Sequence, residues 1–130
     1  MSHINLIVET STGDTITEVA GPRDEDVEGA VGALDGKSVT LATLEVGDQA
    51  HLAIGGGPSQ FIVYVTHDNE RFFTATSPGQ PAEPKVALVA GGQLGEFPGD
   101  EVVDRATALQ ASLHFAKFKE RDPSIVWRAS

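Results

Sequence analysis

Between Gly91 and Asp104 the chain reads GGQLGEFPGDEVVD, with glycines ahead of a predicted helix. Glycines in that position can let backbone N–H groups close around a phosphate. A phosphate loop of the Gly-x-x-x-x-Gly-Lys-Ser/Thr kind also needs a lysine for the phosphates and a hydroxyl for magnesium. Here the glycines are followed by Glu96, Asp100, Glu101 and Asp104. Negative charge fills the place a phosphate would take, so phosphate binding is rejected. The stretch reads instead as a glycine corner leading into a helix, with acids that complement the helix N-terminus.

Other candidate chemistry fails on its own requirements. In GGGPSQ, Ser59 follows Gly57 by two, but Phe61 stands where a nucleophile elbow needs its second glycine. A glycine-rich hairpin loop is the simpler reading. His3, His51, His67 and His114 are scattered, and none has the i, i+4 partner of a His-Glu-x-x-His zinc site. His67 and Glu70 share a loop and can touch, which is not a metal site. His51 falls on the strand face opposite Leu52 and Ile54 and is expected to face solvent. Nineteen acids make paired carboxylates uninformative, and one Trp and one Tyr give little platform for sugars or bases. No enzyme motif, metal site or cofactor is expected.

The chain has 130 residues, the usual size of one domain, and no cysteine, so disulfides and thiolate chemistry are absent. Nineteen acidic residues against nine basic ones give a formal charge of −10. Nucleic acid is therefore a poor partner, whereas a basic protein is a good one. No apolar run has the length of a membrane span, and MSHINLIVETSTGD lacks a basic leader. A soluble protein without an export signal is expected.

Periodicity supplies the scaffold. Ile4, Leu6 and Val8 alternate in a first strand, STGD turns the chain, and Thr15 to Ala20 form a second. Asp24 to Asp26 open a helix whose stripe is Val27, Ala30, Val31 and Leu34, with Gly36 as its stop. Period two then returns: Val39 and Leu41; Leu52 and Ile54; Phe61, Val63 and Val65; Phe73 and Ala75; Val86, Leu88 and Ala90. These five strands are predicted to form an antiparallel meander. A second helix is predicted from about Asp100 to Lys119. Its two apolar stripes predict a sandwiched position, and Lys117, Lys119 and Arg121 suit its C-terminal end. A last strand carries Ile125 and Trp127 on one side. The expected fold is α+β: an antiparallel meander sheet with two helices packed against it, in a single domain over residues 1–130.

The C-terminal third, GGQLGEFPGDEVVDRATALQASLHFAKFKERDPSIVWRAS, resembles the first of the immunity-protein families of bacterial polymorphic toxin systems. The match rests on Gly95, Glu96 and Phe97, the helix after them, and a closing strand ending in Trp127. FIVYVTHDNERFFTATSPGQP is similar to the family's central hairpin, with Phe72 and Phe73 where members often carry a tryptophan. The resemblance spans roughly residues 40–128. It implies a non-catalytic cytoplasmic antidote that binds a cognate toxin domain, often a nucleic-acid deaminase, and occludes its active site.

On that implication the toxin is basic, since it must hold phosphates, and this acidic chain complements it. The expected toxin contacts are Glu96, Asp68, Glu70, Arg71, Asp100 and Trp127. Several have a second use. Glu96 can hold its own corner by accepting backbone N–H bonds, Trp127 can pack in the core beside Ile125, and Asp100 can serve the helix terminus. Two rival functions stay open: an adaptor or chaperone that binds a basic effector outside its active site, and a carboxylate-based hydrolase. The second requires an acid with a strongly raised pKa in a pocket.

Overall fold

The structure, a computed structural model, describes residues 4–130; His3 lies outside them. Two antiparallel strands, β1 (Ile4–Thr10) and β2 (Thr15–Ala20), lead into helix α1 (Asp24–Ala33). Four strands follow in hairpin succession: β3 (Val39–Val46), β4 (Ala50–Gly56), β5 (Phe61–Thr66) and β6 (Phe72–Ala75). The chain continues through β7 (Val86–Ala90), β8 (Gln93–Phe97), a short 3-10 turn (Gly99–Glu101), helix α2 (Arg105–Phe118) and β9 (Trp127–Ala129). Seven strands form one antiparallel sheet in the order β2-β1-β3-β4-β5-β6-β9, and β7 and β8 form a separate hairpin. The α+β architecture and the meander from β3 to β6 match the expectation.

Both helices lie on one face of the sheet and touch each other. The predicted stripe of α1 (Val27, Ala30, Val31 and Leu34) is buried against Leu6, Val8, Leu44, Leu52, Ile54, Phe61, Val63 and Val65. Asp26 accepts the Arg23 N–H at 2.9 Å and closes the first turn of α1. At the other end the helix stops at Ala33, earlier than a Gly36 stop implies. The Asp35 carboxylate accepts the N–H groups of Lys37, Ser38 and Val39 and the Ser38 hydroxyl, which turns the chain into β3.

Four expectations are corrected. In β3 Ala42 and Leu44 face the helices and Val39 packs at the edge of the same core, whereas Leu41 points to the opposite side. Register decides this: Leu44 pairs with Leu6 and Leu52, both fixed on the helix side. β7 is not the fifth strand of the meander. Gly91 and Gly92, at φ 62° and 79°, make a two-residue turn that folds β8 back onto it. The predicted glycine corner is therefore a hairpin turn followed by a strand. Helix α2 begins at Arg105 rather than Asp100, because Val103 is held extended by mutual backbone bonds with Phe61 (2.9 and 2.8 Å). Asp104 is its N-cap, accepting from the Thr107 N–H at 2.8 Å. Finally, α2 is not sandwiched: Ala108, Ala111, Ser112 and Phe115 are buried, Leu109 and Leu113 are half-exposed, and Phe118 is exposed.

The acids that hold these turns set the response to pH. Val39, Lys37 and Ser38 donors hold Asp35 well below the usual carboxylate range. Asp68 is lowered by the Arg71 and Glu70 N–H groups, Asp100 by Arg128, and Asp104 by Thr107. Burial pushes Asp122 up, but Ser124, Gln110 and His114 more than offset it and leave it lowered. Carboxyls depressed in the folded state contribute stability that is present above their unfolded pKa of about 3.9 and lost as pH falls through the folded values. The melting temperature is expected to stay level from pH 7 to 5 and to fall steadily below about pH 4. Melting curves across that range check it, and a fall already under way between pH 7 and 5 would contradict it.

Candidate functional site

The sheet has a second face, which the helices leave bare. Alternation places Ile7, Thr43, Ala53, Tyr64, Thr74 and Arg128 side by side across it, from β1 to β9. A neighbouring row is Asn5, Glu45, His51, Thr66 and Phe72. The rings of His51, Tyr64 and Phe72 meet edge-on or tilted, with centroids 5.8–6.5 Å apart. His51 does face away from Leu52 and Ile54, as expected, but it belongs to this aromatic cluster.

The β7–β8 hairpin crosses one end of this face. Gly55 lets it approach, since a side chain there would overlap Ala90. The hairpin tip is fastened by the Gly91 and Gly92 N–H groups, which reach the carbonyl (3.2 Å) and hydroxyl (2.9 Å) of Thr40. Between hairpin and sheet lies a cavity of about 210 Å³. Leu41, Ala53, Gly55 and Ile62 line its sheet side, and Ala90 and Phe97 its hairpin side. Tyr64, Thr74 and Glu101 supply its few polar atoms. Burial pushes the Tyr64 hydroxyl above its ordinary pKa, so it stays a neutral hydrogen-bonding group.

Charge on this side is mostly negative. Glu9, Glu18 and Glu45 project from it, paired in register with Leu41, Ile7 and His51 respectively. Arg128 is the single lysine or arginine in the nine strands. It is fully engaged, with one arm 2.6 Å from Asp100 and the other 2.6 Å from Glu101. These two carboxylates push the guanidinium's pKa further up, and one of them, Glu101, also borders the cavity. The remaining lysines and arginines sit on helices and loops, among them Arg23, Arg105, Lys117 and Arg121.

The six residues predicted as contacts do not meet at one point. Asp68, Glu70 and Arg71 occupy the β5–β6 turn, beyond the Phe72 end of the bare face; there the Asp68 carboxylate is used to accept the Glu70 and Arg71 N–H groups, both at 2.9 Å. Glu96 sits in mid-strand on β8, opposite Ala87. Its side chain is exposed, and among the described residues no hydrogen bond or ion pair reaches it, so it does not brace a corner. Asp100 serves Arg128 and not the terminus of α2, which Asp104 caps. Trp127 is half-buried against the core on the helix side, and its indole N–H donates to the Asp122 carbonyl at 2.9 Å. It borders a groove of about 600 Å³ with His67, Arg121 and Ile125, where Arg121 stacks 3.5 Å over the Phe73 ring. His67 packs against Phe73 and Phe115, and no bond joins it to Glu70.

Glu9, Glu18, Glu45, Tyr64 and the cavity were not expected from the sequence. A signal existed: strands β1, β3 and β5 carry apolar residues at both alternate positions, which a one-sided sheet does not need. Among the described residues no group of three or more histidines, aspartates and glutamates comes together as a metal site. Each carboxylate with a shifted pKa is shifted down, which is the opposite of what a carboxylic acid catalyst requires. No described helix is long and apolar enough to cross a membrane.

No curated protein matches the chain in sequence. Residues 16–129, however, match the family described as immunity protein Imm1, so the match takes in β3 to β9, both helices and most of β2. With nearly the whole fold inside that match, the chain belongs to the Imm1 family of immunity proteins.

Proposed function

We propose that this protein is the antidote to a nucleic-acid deaminase toxin, and that it acts in the cytoplasm by covering the toxin's active site one-to-one. Membership of an immunity family implies a cognate toxin. The observation that carries the finer reading is charge: at −10, the chain suits a protein whose task is to grip a polyanion. An acidic inhibitor then occupies surface that the toxin keeps for phosphates. All 130 residues act together as one immunity domain in this reading, and the exposed Glu96, Glu70 and Arg71 are toxin contacts. Asp68, Asp100 and Trp127 contribute by holding the elements that present them.

The test uses the toxin domain encoded in the adjoining reading frame, purified and mixed with this protein. A one-to-one complex is expected, with an association rate that falls at least about tenfold between low and high salt as screening shortens the reach of the acidic field. An association rate indifferent to salt would remove the electrostatic part of the reading. A complex in which the toxin stays fully active would favour an adaptor that binds elsewhere.

A further inference from the structure

We infer that the toxin docks on the bare face of the sheet, seating one of its apolar side chains in the cavity beneath the β7–β8 hairpin and setting lysines or arginines against Glu18 and Glu45. The inference rests on the immunity reading and adds the surface and the chemistry of the contact.

Three observations converge on that face. First, it is apolar in part and lacks a helix layer: Ile7, Tyr64 and Phe72 lie on it, and each keeps part of its surface exposed. Second, the cavity is shaped for an anchor. Its floor is Ala53 and Gly55, the smallest residues available, between the larger Leu41, Ile62, Tyr64 and Phe97. At about 210 Å³ it exceeds the roughly 150 Å³ that accommodates a benzene ring. A leucine- or phenylalanine-sized side chain fits, and a central apolar anchor inside a polar rim is how binding energy concentrates in protein interfaces. Third, the strands bring Glu9, Glu18 and Glu45 to this face, and their one lysine or arginine, Arg128, is already held by Asp100 and Glu101. The helix side, by contrast, mixes acids on α1 with Arg105 and Lys117 on α2.

Charge also selects the occupant. A second copy of this chain would bring Glu18 and Glu45 against their own kind, and like charges across an interface are costly. Nucleic acid would meet the same repulsion. A basic protein surface carrying one protruding apolar side chain meets every feature of the face.

Two variants test it against the toxin domain from the adjoining frame, alongside a matched control. Ala53→Leu fills the cavity with three carbons while keeping the strand apolar. It is expected to weaken binding about thirtyfold or more, the scale of a lost hot spot, with the melting temperature nearly unchanged. Glu18→Lys/Glu45→Lys reverses the charge of this face at partly or fully exposed positions and is expected to slow association about tenfold or more. Glu25→Lys/Glu28→Lys makes the same charge change on exposed positions of α1 and is expected to leave the dissociation constant within about threefold. Should Ala53→Leu fail to fold, the charge-reversed pair alone decides. Full binding by the altered bare face, with loss in the α1 control, overturns the inference and leaves the immunity reading standing. Failure of the unaltered chain to bind removes both. A dimer of the unaltered chain that Glu45→Lys dissociates would assign the face to a second copy and overturn the inference.

Discussion

Replacing Phe61 with alanine is expected to lower the free energy of unfolding by about 3–5 kcal/mol, the usual cost of removing a fully buried ring. Phe61 has no exposed surface and is among the largest side chains wholly inside the core. It also heads β5, and its backbone exchanges both bonds with Val103, which leads into α2. The ring therefore holds β5, the start of the second helix and the helix-facing layer in one cluster. Domains of this kind hold about 5–15 kcal/mol in total, so the loss takes a large share of it. The melting temperature is expected to drop by roughly 10–20 °C. Phe61→Leu retains most of the apolar volume and is expected to cost about 1.5 kcal/mol or less. Urea unfolding of the two variants measures this. A Phe61→Ala loss below about 1 kcal/mol would mean the cavity left behind collapses freely, contrary to a core packed as described.

The second large effect is expected at Gly92. Its φ of 79° already strains any L side chain, and a Cβ there would overlap the Ser11 carbonyl oxygen. Neither partner can yield easily, because both are backbone. Gly92→Ala is expected to lift the hairpin tip from Thr40 and open the cavity on its Ala90 and Phe97 side, while the helix-facing core stays intact. Thermal stability should fall moderately, and toxin binding should fall by a factor of about thirty or more as the anchor site is lost. Gly79→Ala separates the two causes: Gly79 also has a positive φ, of 91°, but open space surrounds it. That change is expected to cost only about 1–2 kcal/mol of backbone strain and to leave binding intact. Equal binding losses at Gly79 and Gly92 would contradict a specific role for the docked hairpin.

What could be read in the sequence follows the range of the interactions. The stripe of α1 and the β3–β6 meander are set by neighbours a few residues apart, and each left a periodic signal. β8 left none, because Leu94 and Phe97 in QLGEF are three apart and Gly95 interrupts the alternation. Two glycines before a run of acids look alike whether they precede a helix or turn a hairpin. The start of α2 was misplaced for a related reason: Val103 is held extended by Phe61, more than forty residues earlier. Asp100 looked like a helix-terminal acid, and its actual partner, Arg128, lies 28 residues on. The candidate face was hidden in the half of each strand pattern that does not build the core. Glu18, Glu45 and Tyr64 came to share one face, with Tyr64 lining a cavity, only when seven strands were set in register and a hairpin was laid across them.

An immunity protein that occludes an active site must silence its toxin on binding. Titrating the toxin domain from the adjoining frame with this protein, and following the base deamination proposed for it on single-stranded substrate, tests that directly. Activity is expected to fall linearly to baseline and break sharply at one equivalent. A complex that forms at one-to-one while deamination continues unchanged would contradict active-site occlusion.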